Sequence, residues 1–222
     1  MCFSASASFT SAALLSVVGV FTIKIVKDKR DYVLASFPFL FAVQQFIEGI
    51  IWLHFTGQFP GIMPYSLGYL YLLYAFVIWP LLVPLSVVLI EPHKMRRKML
   101  SVLLFMGTSC ALYLFYVMNV GTVISDIYEH NIRYGLSGVH VYEFTKWVYI
   151  FVVATSFFLS SHKWVVAFGV CTSVAFVFVD YFAREAYFSV WCFFAALLSL
   201  IVCIHLLQKN KKAKEAISSL EK

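Results

Sequence analysis

Apolar runs, each about as long as a bilayer is thick, recur along the whole chain and constrain it more than any other feature. A helix needs about 20 mostly apolar residues to cross the hydrocarbon. Stretches near residues 4–26, 33–55, 67–90, 99–120, 144–161, 164–183 and 187–207 reach or approach that length. Composition agrees: 62% of the residues are hydrophobic and 13% charged, against roughly 45–50% and 25% in soluble domains. The expectation is an all-α membrane protein, a bundle of seven transmembrane helices whose first partner is the lipid bilayer. Only SHKW separates the fifth and sixth runs, so six spans is the alternative if those two merge or re-enter.

Charge supplies a direction. Lys24, Lys27, Lys29 and Arg30 follow the first run; Lys94, Arg96, Arg97 and Lys98 follow the third; Lys163 follows the fifth; Lys209, Lys211, Lys212, Lys214 and Lys222 follow the last. The opposite connections hold only Arg133, Lys146 and Arg184. Basic residues near span ends mark the cytoplasmic side. The bias therefore predicts N-terminus outside, C-terminus in the cytoplasm and an odd number of spans. Residues 1–208 read as one seven-helix domain, and 209–222 as a basic cytoplasmic tail able to touch anionic head groups. Clustered this way, the net charge of +6 is topological and speaks against nucleic acid. MCFSASASF has no basic n-region and no signal-peptide cleavage site. No pattern names a cofactor or an oligomeric state.

The second run carries FAVQQFIEGIIW, with Gln44, Gln45 and Glu48 where lipid tails would be expected. Spacings of three and four place Gln44, Gln45, Glu48 and Trp52 along one side of a helix. A carboxylate facing lipid is costly, so the stripe should face protein or a cavity. The plainer alternative is interhelical glue, at about 0.6 kcal/mol per hydrogen bond. Ser4, Ser8, Ala12 and Ser16 make a small-residue ridge suited to close packing. Pro38, Pro80 and Pro84 interrupt spans two and three, freeing carbonyls that neighbours or a cavity must satisfy. The external connection 121–143 reads as a hairpin lid, with DIYEHNIRY and VHVYEF flanking a turn at YGLSG.

MCFSASASF, FPFLFAVQQFIEGIIWL and SVWCFFAALLSLIVCIHL together resemble an uncharacterised family of bacterial integral membrane proteins. The resemblance implies a multi-pass protein of the bacterial inner (cytoplasmic) membrane with unknown activity. It carries over no catalytic residue.

Three functional readings use these residues differently. In the first, a small polar solute or ion is handled by an outward-facing pocket around Glu48. Gln44, Gln45 and Cys192 would wall it, with Asp180, Arg184 and Glu185 from the end of the sixth run. Arg184 with Asp180 or Glu185 could equally be a local pair. In the second, a membrane-embedded metal-dependent hydrolase takes His54, His130 and His140, with Glu48 or Asp180, as external ligands. Such a site wants three protein ligands and an open position for water, and none of these histidines has helical HxxxH spacing. The third is a structural or thiol-dependent subunit. Cys2 and Cys192 would both be external, and they can bridge if their Cα atoms come within about 7 Å. A retinal-type light sensor is excluded, since no lysine lies in the sixth or seventh run.

Overall fold

The computed structural model describes residues 4–58, 64–128, 131–141, 143–182 and 186–220. It is a helical bundle with one hairpin. Helix α1 is Ala5–Ile25; a short turn and α2 (Tyr32–Ala35) lead into α3 (Phe37–Phe55). Helices α4 (Pro64–Leu73) and α5 (Trp79–Ile90) form a third rod, and α6 (Lys94–Val120) a fourth. Strands β1 (Thr122–Tyr128) and β2 (Asn131–Ser137) precede α7 (Glu143–Phe158), α8 (Lys163–Phe182), and a last rod of α9 (Tyr187–Leu198) and α10 (Leu200–Leu220).

Six of these rods are long and apolar enough to cross a membrane: Ala5–Ile25, Lys29–Phe55, Ser66–Ile90, Lys94–Val120, Lys163–Phe182 and Tyr187–Glu215. Helix α7, with 16 residues, falls short of the usual span of about 20. The outer surface is apolar, with Phe105, Leu112, Val174, Val177 and Phe182 exposed on α6 and α8, as suits contact with lipid. The architecture is compatible with a multi-pass membrane protein.

The small-residue ridge packs only in part: Ser8 and Ala12 are buried, while Ser4 is exposed and Ser16 half-buried. Ser8, Ala12, Leu15, Gly19 and Thr22 form the buried side of α1. A Cβ at Gly19 would lie 2.6 Å from the backbone of Phe39, so only glycine allows α1 and α3 to meet there. Thr22 then donates from its hydroxyl to the Ala35 carbonyl across the two rods, at 2.8 Å.

Pro38, Pro80 and Pro84 each leave a visible trace. Pro38 has no N–H for the Leu34 carbonyl, and the second rod breaks at Ser36 between α2 and α3. Ahead of Pro80 the helix loosens into a π turn, Tyr74–Ile78, where a wider ring accommodates the missing donor. Pro84 deprives the Pro80 carbonyl of its helical partner, and that oxygen turns onto α6 at Gly107.

At the lysine-rich end the connections interlock. Glu91, after α5, accepts from the Ser161 backbone N–H at 2.8 Å, the Ser161 hydroxyl at 2.6 Å and the His93 N–H at 3.1 Å. Burial raises the pKa of this carboxyl, but those three bonds and nearby Arg96 outweigh it and hold it below the ordinary value of 4.5. Lys209 on α10 reaches back to buried Asp31 at 2.6 Å, and the Asn210 amide donates to the Ile25 carbonyl at 2.9 Å. The last rod is thus tied to the first two, and α10 continues as helix through the lysine tail to Leu220.

Candidate functional site

Helix α3 is buried along Phe41, Gln44, Gln45, Glu48 and Trp52, so the polar stripe faces protein. Glu48 is 2% exposed. Its Oε1 accepts from the Ser189 hydroxyl of α9, and its Oε2 accepts from Gln45 Nε2 at 3.3 Å. One turn earlier, Gln44 Oε1 accepts from the Trp79 indole N–H at 2.9 Å. That donor fixes which end of the Gln44 amide is oxygen.

The hairpin closes this region. Its strands pair antiparallel from Thr122↔Ser137 to Tyr128↔Asn131. Alternation sends Ile132 and Tyr134 inward, both buried, while Arg133 bonds across the strands to Asp126 at 3.0 Å. The Tyr134 ring stacks on Tyr71 of α4, centroids 4.2 Å apart and planes 5° from parallel. Tyr71 donates to the Phe188 carbonyl at 3.3 Å. Burial, then the proximity of Glu48, push the Tyr134 hydroxyl well above its ordinary range, so it is a neutral O–H beside the cluster. The expected hairpin is present, but its strands come from TVISDIY and NIRYGLS. YGLSG is not the turn between them, since its first four residues belong to β2; residues 129–130 lie outside the described residues. Inward burial of Ile132 and Tyr134 keeps Gly135 in the strand, and the chain turns only at Gly138, where φ is +78°.

Four buried polar atoms in this region have no hydrogen-bond partner: Gln44 Nε2, Gln45 Oε1, Trp52 Nε1 and the Tyr134 hydroxyl. The Cys192 thiol adjoins Tyr71, Gln44 and Glu48, but sulfur is a weak acceptor. A small cavity of about 30 Å³, lined by Trp79, Tyr149, Trp191 and Cys192 among others, lies against the inner side. A second, of about 50 Å³, shares Tyr149 and Trp191 and is lined by Lys146 and Tyr187. The first is apolar in nearly all of its lining, and only the second, with Lys146 in its wall, is polar enough to hold water.

Other candidate residues lie elsewhere. Asp180 is bound by Lys146 of the facing helix α7; its expected pairing with Arg184 falls outside the described residues. Arg184, Glu185, Cys2 and His130 lie outside the described residues. Cys192 is a free, buried thiol. His54 is half-buried at the end of α3, its ring against Phe55, and His140 is exposed beyond β2. Among the described residues, no three His, Cys, Asp or Glu side chains are grouped to hold a metal. Tyr71, Trp79, Tyr134 and Ser189 complete the cluster although the sequence did not single them out. Of these, only Ser189 gave a signal, one helical turn before Cys192.

Residues 1–218 match the model of a family described as a family of unknown function, DUF6629. No curated protein matches the chain, and no solved structure does.

Proposed function

Because the chain belongs to DUF6629, a family of unknown function, its role has to be read from its own residues, and we propose that it binds a small polar solute or ion in an occluded site around Glu48. In this reading it is a seven-span protein of the bacterial inner membrane, with α7 as the short fifth span, its N-terminus outside and its lysine-rich end in the cytoplasm. The lysine bias supports that orientation.

The observation that carries the binding reading is the set of four buried, unpartnered polar atoms beside a buried carboxyl. Each unsatisfied group costs about 1–3 kcal/mol. Donors from Gln44, Trp52 and Tyr134, and acceptors on Gln45 and Glu48, suit a ligand with both kinds of group. The hairpin is the lid in this reading, and the two small voids sharing Tyr149 and Trp191 are an inner extension of the site.

The test uses Cys192 as reporter. In a variant whose only other cysteines replace Gly68 and Ser125, oxidation should pin the hairpin to α4. A Cβ at Gly68 would lie 3.7 Å from that of Ser125, within the range a disulfide needs. A small water-soluble thiol reagent should label Cys192 while the pair is reduced and fail to do so once it is oxidised. Equal labelling in both states, or none in either, would leave a closed structural network as the account of the cluster.

A further inference from the structure

At the lysine-rich end, far along the chain from Glu48, the α7–α8 turn and the middle turns of α10 line an open cavity of about 390 Å³. Its walls include His162, Lys163, Trp164, His205, Gln208 and Lys212. The polar groups left free to face it are the Lys163 and Lys212 ammonium groups, the Gln208 NH₂ and the His205 ring. His162 Nε2 lies 3.1 Å from the Ile90 carbonyl, an acceptor, so that nitrogen carries the proton. The Trp164 indole N–H occupies Gln208 Oε1 at 2.6 Å, leaving the Gln208 NH₂ to donate elsewhere. His205, 5% exposed, stands edge-on to His162 at 5.0 Å, and its Nε2 has no partner in the protein. Helix α8 begins at Lys163, so its free amide groups and the positive end of its dipole add to the same wall.

The neighbouring carboxylates are already engaged. Asp31 and Asp28 face Lys209, at 2.6 and 3.7 Å, and Glu91 is held by Ser161. Arg96 also bonds Ser161, at 3.2 Å. Among the described residues no carboxylate forms an ion pair with Lys163 or Lys212. A cavity rich in donors and cations, with its acids taken up, is complementary to a phosphate group.

We propose that this cavity binds the phosphate of an anionic phospholipid head group, the same chemistry a free phosphate ion would offer. The lipid source is favoured by what adjoins the cavity. Ile204, one turn before Gln208, and Leu207, next to it, are exposed and apolar on α10, a surface for acyl chains leading away from the head group. Trp164 stands beside the cavity with its amphipathic ring, as at membrane interfaces. The site is independent of the Glu48 reading and would survive its failure.

The full-length protein, reconstituted in bilayers of phosphatidylcholine mixed with phosphatidylglycerol and then released into detergent, tests this by native mass spectrometry. The unaltered protein should retain phosphatidylglycerol in preference to phosphatidylcholine. Lys163→Gln with Lys212→Gln should lower that retention about tenfold, whereas Lys24→Gln with Lys29→Gln, at the same end but outside the cavity, should not. Both altered lysines of the first pair are exposed, so the fold should tolerate their loss; should the double variant fail to fold, Lys212→Gln alone serves. If there is no preference for phosphatidylglycerol but inorganic phosphate shifts Trp164 fluorescence only while Lys163 and Lys212 are present, the site holds and its ligand is soluble. Equal retention in the cavity variant and the unaltered protein, with no response to inorganic phosphate, would overturn the proposal. Equal loss in both double variants would overturn it too, in favour of diffuse surface charge.

Discussion

Tyr134 of the hairpin lies flat on Tyr71 of α4, 4.2 Å between ring centroids, and this stack is the main aromatic link between the hairpin and the polar cluster. Removing the Tyr134 ring should cost the docked hairpin about 3 kcal/mol. Tyr134→Ala is therefore expected to raise hydrogen exchange over residues 122–137 while α5 and α6 keep their protection. Tyr134→Phe retains the stack and deletes a hydroxyl that has no partner, so its exchange should match that of the unaltered protein.

Glu48 offers a second paired comparison. Glu48→Gln keeps an oxygen for the Ser189 hydroxyl and should fold with near-native thermal stability. Glu48→Ala strands both the Ser189 hydroxyl and the Gln45 amide in a buried space. It should lower stability by roughly 3 kcal/mol, read as the midpoint of thermal unfolding in detergent.

Gly107→Ala places a Cβ 2.1 Å from the Pro80 carbonyl oxygen. Because the obstacle is backbone, no side chain can rotate away, and α5 must separate from α6. A loss of about 2–3 kcal/mol is expected. Adding Pro84→Ala should recover part of it, since an N–H at position 84 lets the Pro80 carbonyl turn back into its own helix.

The Glu91 carboxyl predicts an acid limit. Its folded value lies below 4.5, so its contribution is fully present above that ordinary value and is lost as pH falls through the folded one. Thermal stability should therefore decline on the acid side in the native protein. Glu91→Gln should lower stability near neutrality and flatten that decline, which a melting series across pH would check.

Lys146 and Asp180 form a half-buried pair, with side chains 17% and 25% exposed. Asp180→Asn alone leaves Lys146 without its counter-ion near Tyr187 and Phe176. It should destabilise more than Lys146→Met with Asp180→Asn together, giving a measurable coupling in a double-mutant cycle.

What could be read in advance follows physical range. Span limits depend on local apolarity, so 33–55 and 67–90 fall close to the observed rods. The same local rule overestimated the fifth run, where α7 stops at Phe158 before the Glu91-bound turn. Helical spacing put Gln45, Glu48 and Trp52 on one face. It could not name Ser189, 141 positions from Glu48, or Tyr134, because those partners are chosen by tertiary packing. Asp180 shows the same limit. Lys146, 34 positions away, is a cation that the bundle brings to it and that no local spacing could name.

The contact between Asp31 and Lys209 also bears on assembly during synthesis. Asp31 emerges 178 residues ahead of the lysine that neutralises it, so a growing chain must keep this acid hydrated while the intervening helices are inserted. The end of the bundle can shut only when the last helix arrives. A ribosome-tethered chain that stops short of Lys209 should therefore leave the start of the second helix open to protease, and one extended past it should not.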